Sequence, residues 1–94
     1  MDNTMRTESH NIEFKESWRD EYQKWICGFA NAQGGTLYIG VRDNGEVCGV
    51  PDVKKLMEDI PNKVRDMMGI LVEVNLKGLD GKQYLEIVTD AYPY

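Results

Sequence analysis

The chain has 94 residues, 41% of them hydrophobic, with 16 acidic against 11 basic side chains and a formal net charge of −5. A chain of this size holds one core and buries about 60–65% of its unfolded surface, which leaves no room for a second domain. The acidic balance excludes a protein that clings to nucleic acid by bulk charge, since that mode neutralises phosphates with Lys and Arg; any such binding must use a local patch. Met1-Asp2-Asn3-Thr4 is followed by no apolar run, so neither a signal peptide nor a membrane span is expected and the protein is placed in the cytoplasm. Cys27 and Cys48 have no CxxC spacing and read as reduced core cysteines.

Residues 1–9 are polar and carry Arg6 and Glu8. Asn11 to Lys15 alternates, with Ile12 and Phe14 on one face and Glu13 and Lys15 on the other, and predicts a first strand. Ser17, with Asp20 three residues on, has the form of a capping box and starts a predicted helix. Its apolar stripe is Tyr22, Trp25, Ile26, Phe29 and Ala30. Asn31 can cap carbonyls at its end, and Gly34-Gly35 terminates it by allowing a left-handed residue and a sharp reversal. Thr36 to Arg42 then alternates as a strand whose inner face is Leu37, Ile39 and Val41. Asn44-Gly45 reads as a two-residue hairpin turn, and Glu46 to Val50 as the returning strand.

Asp52 caps a second helix with Val53, Leu56, Met57, Ile60, Val64 and Met67 on one face. Pro61 should kink it or split it in two, because an internal proline costs about 3 kcal/mol. Gly69 stops it, and strands over Ile70–Leu76 and Gln83–Thr89 follow around a turn at Leu79–Lys82. The expected order is β-α-β-β-α-β-β, an α+β two-layer sandwich of two helices on a sheet of about five strands. The last residues, Asp90-Ala91-Tyr92-Pro93-Tyr94, are aromatics with nothing further in the chain to pack against, which suggests a single domain cut at its C-terminal side from a longer protein.

Three separated stretches carry a resemblance: Glu8-Ser9-x-x-Ile12-Glu13-Phe14-Lys15-Glu16, then Phe29-Ala30-Asn31-x-x-Gly34-Gly35-Thr36-Leu37-x-Ile39-Gly40-Val41-x-Asp43-x-Gly45, then Gly49-Val50. Together they resemble the Schlafen AlbA-type (AlbA_2) domain, found as a DNA-binding domain of bacterial transcriptional regulators. The resemblance covers most of residues 8–50; residues 51–90 fit only in the order of their elements. It implies a nucleic-acid-binding, non-enzymatic module with DNA preferred over RNA. Relatives often carry a further ATPase-like or winged-helix region, so an accessory role beside an ATPase or helicase-like part is one alternative.

The resemblance also aligns Glu8, Glu13 and Asp43 with the three carboxylates by which eukaryotic Schlafen members cut RNA. Three oxygen ligands suit Mg²⁺ or Mn²⁺, which would activate water at a phosphodiester; the blander reading pairs Glu13 with Lys15 or Arg42 and leaves Asp43 to start a turn. For nucleic-acid contact the candidates are the cations Lys15, Arg19 and Arg42, with Arg42 and Lys15 expected together on an exposed sheet face beside Tyr38. Asn31, Gly34 and Gly35 are structural first, and otherwise a backbone nest for phosphate. Arg6, Lys15, Arg19, Lys24 and Arg42 lie in the half of the chain that carries the signature, whereas acidic residues crowd the other half. That acidic half and an unpaired C-terminal strand make a homodimer or another protein-interaction module the remaining alternative.

Overall fold

A computed structural model describes residues 11–92. Its elements run β1 (Ile12–Lys15), a 3₁₀ turn (Asp20–Tyr22), α1 (Gln23–Ala30), β2 (Gly35–Ile39), α2 (Val53–Met68), β3 (Glu73–Leu79) and β4 (Lys82–Thr89). The four strands form one mixed sheet in the order β1-β2-β4-β3. β1 is parallel to β2, while β4 is antiparallel to both β2 and β3. The α+β sandwich stands, with four strands in place of five.

Alternation fixes the two faces of the sheet. Leu37 and Ile39 of β2 and Leu85 and Ile87 of β4 are wholly buried beneath the helices, against Ile26, Phe29, Ile60 and Val64. Phe14, Val41 and Val47 form a smaller cluster with Ile12, Tyr38, Leu79 and Tyr84. Leu37, Ile39 and Val41 therefore do not share a face. Gly40 takes a φ of +97° and interrupts the alternation, so that Val41 joins Phe14 instead of Ile39.

The expected strand at Glu46–Val50 is reduced to one antiparallel bridge between Val41 and Val47. Positive φ at Gly45 and Gly49 bends the segment away from a ladder. Cys48 and Gly49 N–H turn back to Gly40 O, and Val50 N–H reaches Gln83 O on β4. The hairpin loop has three residues, not two: Arg42 N–H donates to Glu46 O and Gly45 N–H to Arg42 O, with Gly45 in the left-handed position.

Neither helix start follows the expected capping. Ser17 opens nothing; the turn begins at Asp20, whose carboxylate accepts from Trp18 Nε1 (2.9 Å) and Lys63 Nζ (2.8 Å) rather than from a helix-end N–H. Asp52 does stand before α2, but in the left-handed region (φ 58°) and with no side-chain cap. Pro61 lies inside an unbroken α2. Its neighbours Ile60 and Val64 are fully buried, and docking two such side chains at about 1.5–3 kcal/mol each offsets the proline penalty. Met67, assigned to the buried stripe, is 75% exposed; Met68 packs on the core instead.

Both cysteines are free, but Cys27 is exposed and Cys48 half-buried, so neither is a core residue. Of the C-terminal aromatics, Tyr92 does find packing, while Tyr94 lies outside the described residues. Tyr92 sits against the main core, its N–H donates to Ala30 O (2.8 Å), and its hydroxyl bridges the backbone N–H and C=O of Leu71. Nor is the last strand unpaired: β4 is central, and the outer strands are β1 and β3.

Candidate nucleic-acid interface

The candidate residues divide between the two ends of the parallel pair β1–β2. At its carboxyl end, Lys15 closes β1, and its carbonyl accepts from both Gly40 N–H (2.7 Å) and Val41 N–H (3.1 Å). Those two hydrogen bonds stitch β1 to the root of the hairpin, so Arg42 and Asp43 begin where Lys15 ends. Arg19 follows four residues after Lys15 and is exposed. Asn31, Gly34 and Gly35 occupy the amino end of β2, a strand length away. Glu8 lies outside the described residues.

Lys15 is not on the exposed sheet face with Tyr38. Its register partner is Ile39, and that of Glu13 is Leu37, both beneath the helices, so Glu13 and Lys15 share the helix side at the sheet margin. Lys15 Nζ lies 3.5 Å from Glu13 Oε2, with the two side chains only 25% and 16% exposed. The same ammonium stands 4.9 Å above the Tyr22 ring and 5.5 Å from that of Trp25. Tyr22 and Trp25, from the 3₁₀ turn and first turn of α1, thus supply a ring wall for the ammonium. Trp25 Nε1 is buried beside them with no hydrogen-bond partner among the described residues.

Arg42 is half exposed and pairs with Glu46 across the hairpin; Asn44 Oδ1 accepts from Glu46 N–H (2.9 Å) and braces that acid. Arg19 Nη1 stands 3.7 Å from Glu21 Oε1, both side chains about two-thirds exposed. Each of the three cations is therefore matched by a carboxylate within 4 Å, Glu13, Glu21 or Glu46, so these pairs leave no net positive charge. The local spacing carried this signal, because residues two apart on a strand share a face and Arg42 and Glu46 flank the loop. The ring wall had no such signal.

Asp43 is exposed in the loop and Glu13 is enclosed beside Lys15. Among the described residues no three His, Cys, Asp or Glu side chains gather into a metal-holding group. At the other end, Asn31 Nδ2 reaches Cys27 Sγ (3.4 Å) rather than a carbonyl. Gly34, at φ +84°, already donates its N–H to Phe29 O (2.8 Å), while Gly35 is paired with Thr89 in the sheet.

A family model described as Schlafen, AlbA_2 matches residues 8–93. The chain belongs to the Schlafen AlbA_2 family. Two solved structures share the AlbA_2 fold seen here. One is the N-terminal domain of a protein related to the ATP-dependent DNA helicase RecG, from Nitrosomonas europaea, with 24% identity and a TM-score of 0.72 over 89% of this chain. The other is the DIP2311 protein from Corynebacterium diphtheriae, with 18% identity and a TM-score of 0.75 over 97% of this chain. The AlbA_2 chain spans 65% of the first of these chains and 20% of the second. No helix among its described residues is long and apolar enough to cross a membrane.

Proposed function

We propose that this AlbA_2 domain is a nucleic-acid-binding module, with DNA preferred over RNA, that serves a longer bacterial regulator. The observation that supports it best is that the backbone of Lys15 is bonded to Gly40 and Val41 at the carboxyl end of the β1–β2 pair, which puts Arg42 next in the chain there, with Arg19 four residues beyond Lys15. Ligands of open sheets with parallel strands favour that end. Because each cation already has an acidic partner, phosphate must displace Glu21 and Glu46 to reach Arg19 and Arg42. These exposed pairs are worth only about 0–1 kcal/mol, so the exchange is feasible and the resulting affinity weak. Lys15, held by Glu13 and the rings, is not among the phosphate contacts.

Fluorescence anisotropy with duplex DNA, single-stranded DNA and RNA tests the reading. Two phosphate contacts, through Arg19 and Arg42, give a salt slope of about −1.8 on duplex DNA, or roughly a 12-fold loss between 50 and 200 mM salt. Arg19→Glu with Arg42→Glu should abolish binding, and Glu46→Gln should strengthen it by releasing Arg42. Binding that ignores all three changes would overturn the reading. A parallel cleavage gel with Mn²⁺ separates the alternative: RNA cutting that Glu13→Gln abolishes would replace the binder with a metal-dependent nuclease using Glu8, Glu13 and Asp43.

A further inference from the structure

β3 is an outer strand. It pairs with β4 along one edge, and its other edge meets no described strand. Such an edge is a template for another strand unless something blocks it. Natural edges are commonly blunted by charged side chains, prolines or bulges; β3 has seven residues, Glu73–Leu79, an unbroken register with β4 and no proline, and its two charges, Glu73 and Lys77, are opposite in sign.

Its sequence is self-complementary. Glu73, Asn75 and Lys77 point to one face, in register with Val88, Glu86 and Tyr84; within the chain Asn75 Nδ2 donates to Glu73 (2.8 Å) and Glu86 (3.1 Å), Lys77 Nζ lies 4.0 Å from Glu86, and the two opposite charges stand two residues either side of Asn75. A second β3 laid antiparallel across a two-fold axis at Asn75 therefore sets Glu73 against Lys77 of the partner copy, twice by symmetry, and Asn75 against its own equivalent. The same register sets Val74 against Leu76 on the helix side and Leu71 against Leu79 on the other. Leu76 and Leu71 are 40% and 72% exposed in the single chain. Gly78 fits the same pattern: its chain neighbours aside, no atom of the described residues lies nearer than 3.8 Å to the position of an added Cβ, so their packing does not demand a glycine there. A glycine in a strand is often found where another backbone approaches closely, as it is at bulges and bends.

We propose that β3 joins a second copy of this chain, antiparallel and centred on Asn75, to make one continuous eight-stranded sheet. The seam is narrow, so association belongs to the weak class, with Kd on the order of 10–100 µM. Sedimentation velocity across that range should show a monomer–dimer equilibrium in the wild type. Glu73→Lys alone and Lys77→Glu alone each set like charges against each other twice and should weaken self-association by roughly tenfold. Mixing those two variants restores both attractions, so the mixture should form a heterodimer with wild-type affinity, a result no simple folding defect can produce. Without any substitution, the outward amides of β3 should gain protection from hydrogen exchange as concentration rises. A wild type that stays monomeric at about 1 mM, single variants that associate as the wild type does, or a mixture no better than either variant would each overturn the proposal.

Discussion

Gly35→Ala adds one carbon at the junction of α1 and β2. The new Cβ would stand 2.5 Å from Phe29 Cδ1, 2.7 Å from Phe29 Cγ and 2.8 Å from Asn11 O. Ordinary carbon contacts lie near 3.5–4.0 Å, so about 1 Å of overlap must be relieved. Phe29 is 5% exposed and enclosed by the main core, and Asn11 O accepts from Thr36 N–H (2.9 Å), so neither neighbour can yield cheaply. Overpacking of this kind costs about 1–3 kcal/mol, and the upper end applies where both a ring and a backbone atom are struck. In a domain of this size about 3 kcal/mol lowers Tm by roughly 12–24 °C. Gly35→Val, with two further methyl groups, should leave little folded protein. The cause is crowding alone, because the left-handed residue is its neighbour Gly34. Gly28→Ala is the control: it lies in α1 with nothing within 4 Å of an added Cβ, and should stabilise by about 0.5–1 kcal/mol. Urea titration of the pair measures both shifts, and a Gly35→Ala midpoint at or above that of Gly28→Ala would refute the crowding argument.

The Asp20–Lys63 pair, which ties the 3₁₀ turn to α2, should leave a signature in pH. The hydrogen bond from Lys63, then that from Trp18, hold the Asp20 carboxyl below its usual 3.8, and Asp20 in turn raises Lys63 above 10.5. A lowered carboxyl stabilises above its unfolded pKa and loses that contribution as pH falls through the folded value, while a raised ammonium loses its contribution as pH climbs past the folded value. The link is therefore complete between about pH 4 and 10, and Asp20→Asn should flatten the acid limb of Tm against pH; an unchanged limb counts against it. Tyr92→Phe removes the hydroxyl that bridges Leu71 N–H and C=O, at 3.1 and 3.2 Å. That should cost about 1 kcal/mol, or roughly 4–8 °C in Tm, and a melt unchanged by the substitution would show that the bridge does not fasten the end of the described chain.

Most of the fold was legible because it is written in local periodicity. The stripe of α1, the inward Leu37 and Ile39 of β2, the strand over Gln83–Thr89 and the stop at Gly69 all appear where the residues put them. The failures share one cause, tertiary context that outweighs a local rule. Pro61 stays helical because Ile60 and Val64 are drawn into the core. Asp20, which a capping box would aim at the helix end, is claimed instead by Lys63, 43 residues away. The return strand after the hairpin was lost to positive φ at Gly40, Gly45 and Gly49, whose bend no alternation count registers.

The site was less legible than the fold. Alternation did place Glu13 and Lys15 on one face, but which face was buried depended on the pairing of β1 with β2. Once Leu37 and Ile39 go beneath the helices, register takes Glu13 and Lys15 there too, and the ammonium must find a carboxylate and aromatic faces in place of water. Lys15 and Arg42 consequently have different physics despite equal charge. Arg42 is held by one exposed carboxylate on a short hairpin and can exchange it for phosphate at little cost. Lys15 lies 3.5 Å from a largely enclosed Glu13, so reversing its charge would set two like charges together there and damage the fold as well as the surface. Binding measurements on Lys15 variants therefore have to be read beside their stability, whereas Arg19 and Arg42 report on the interface alone.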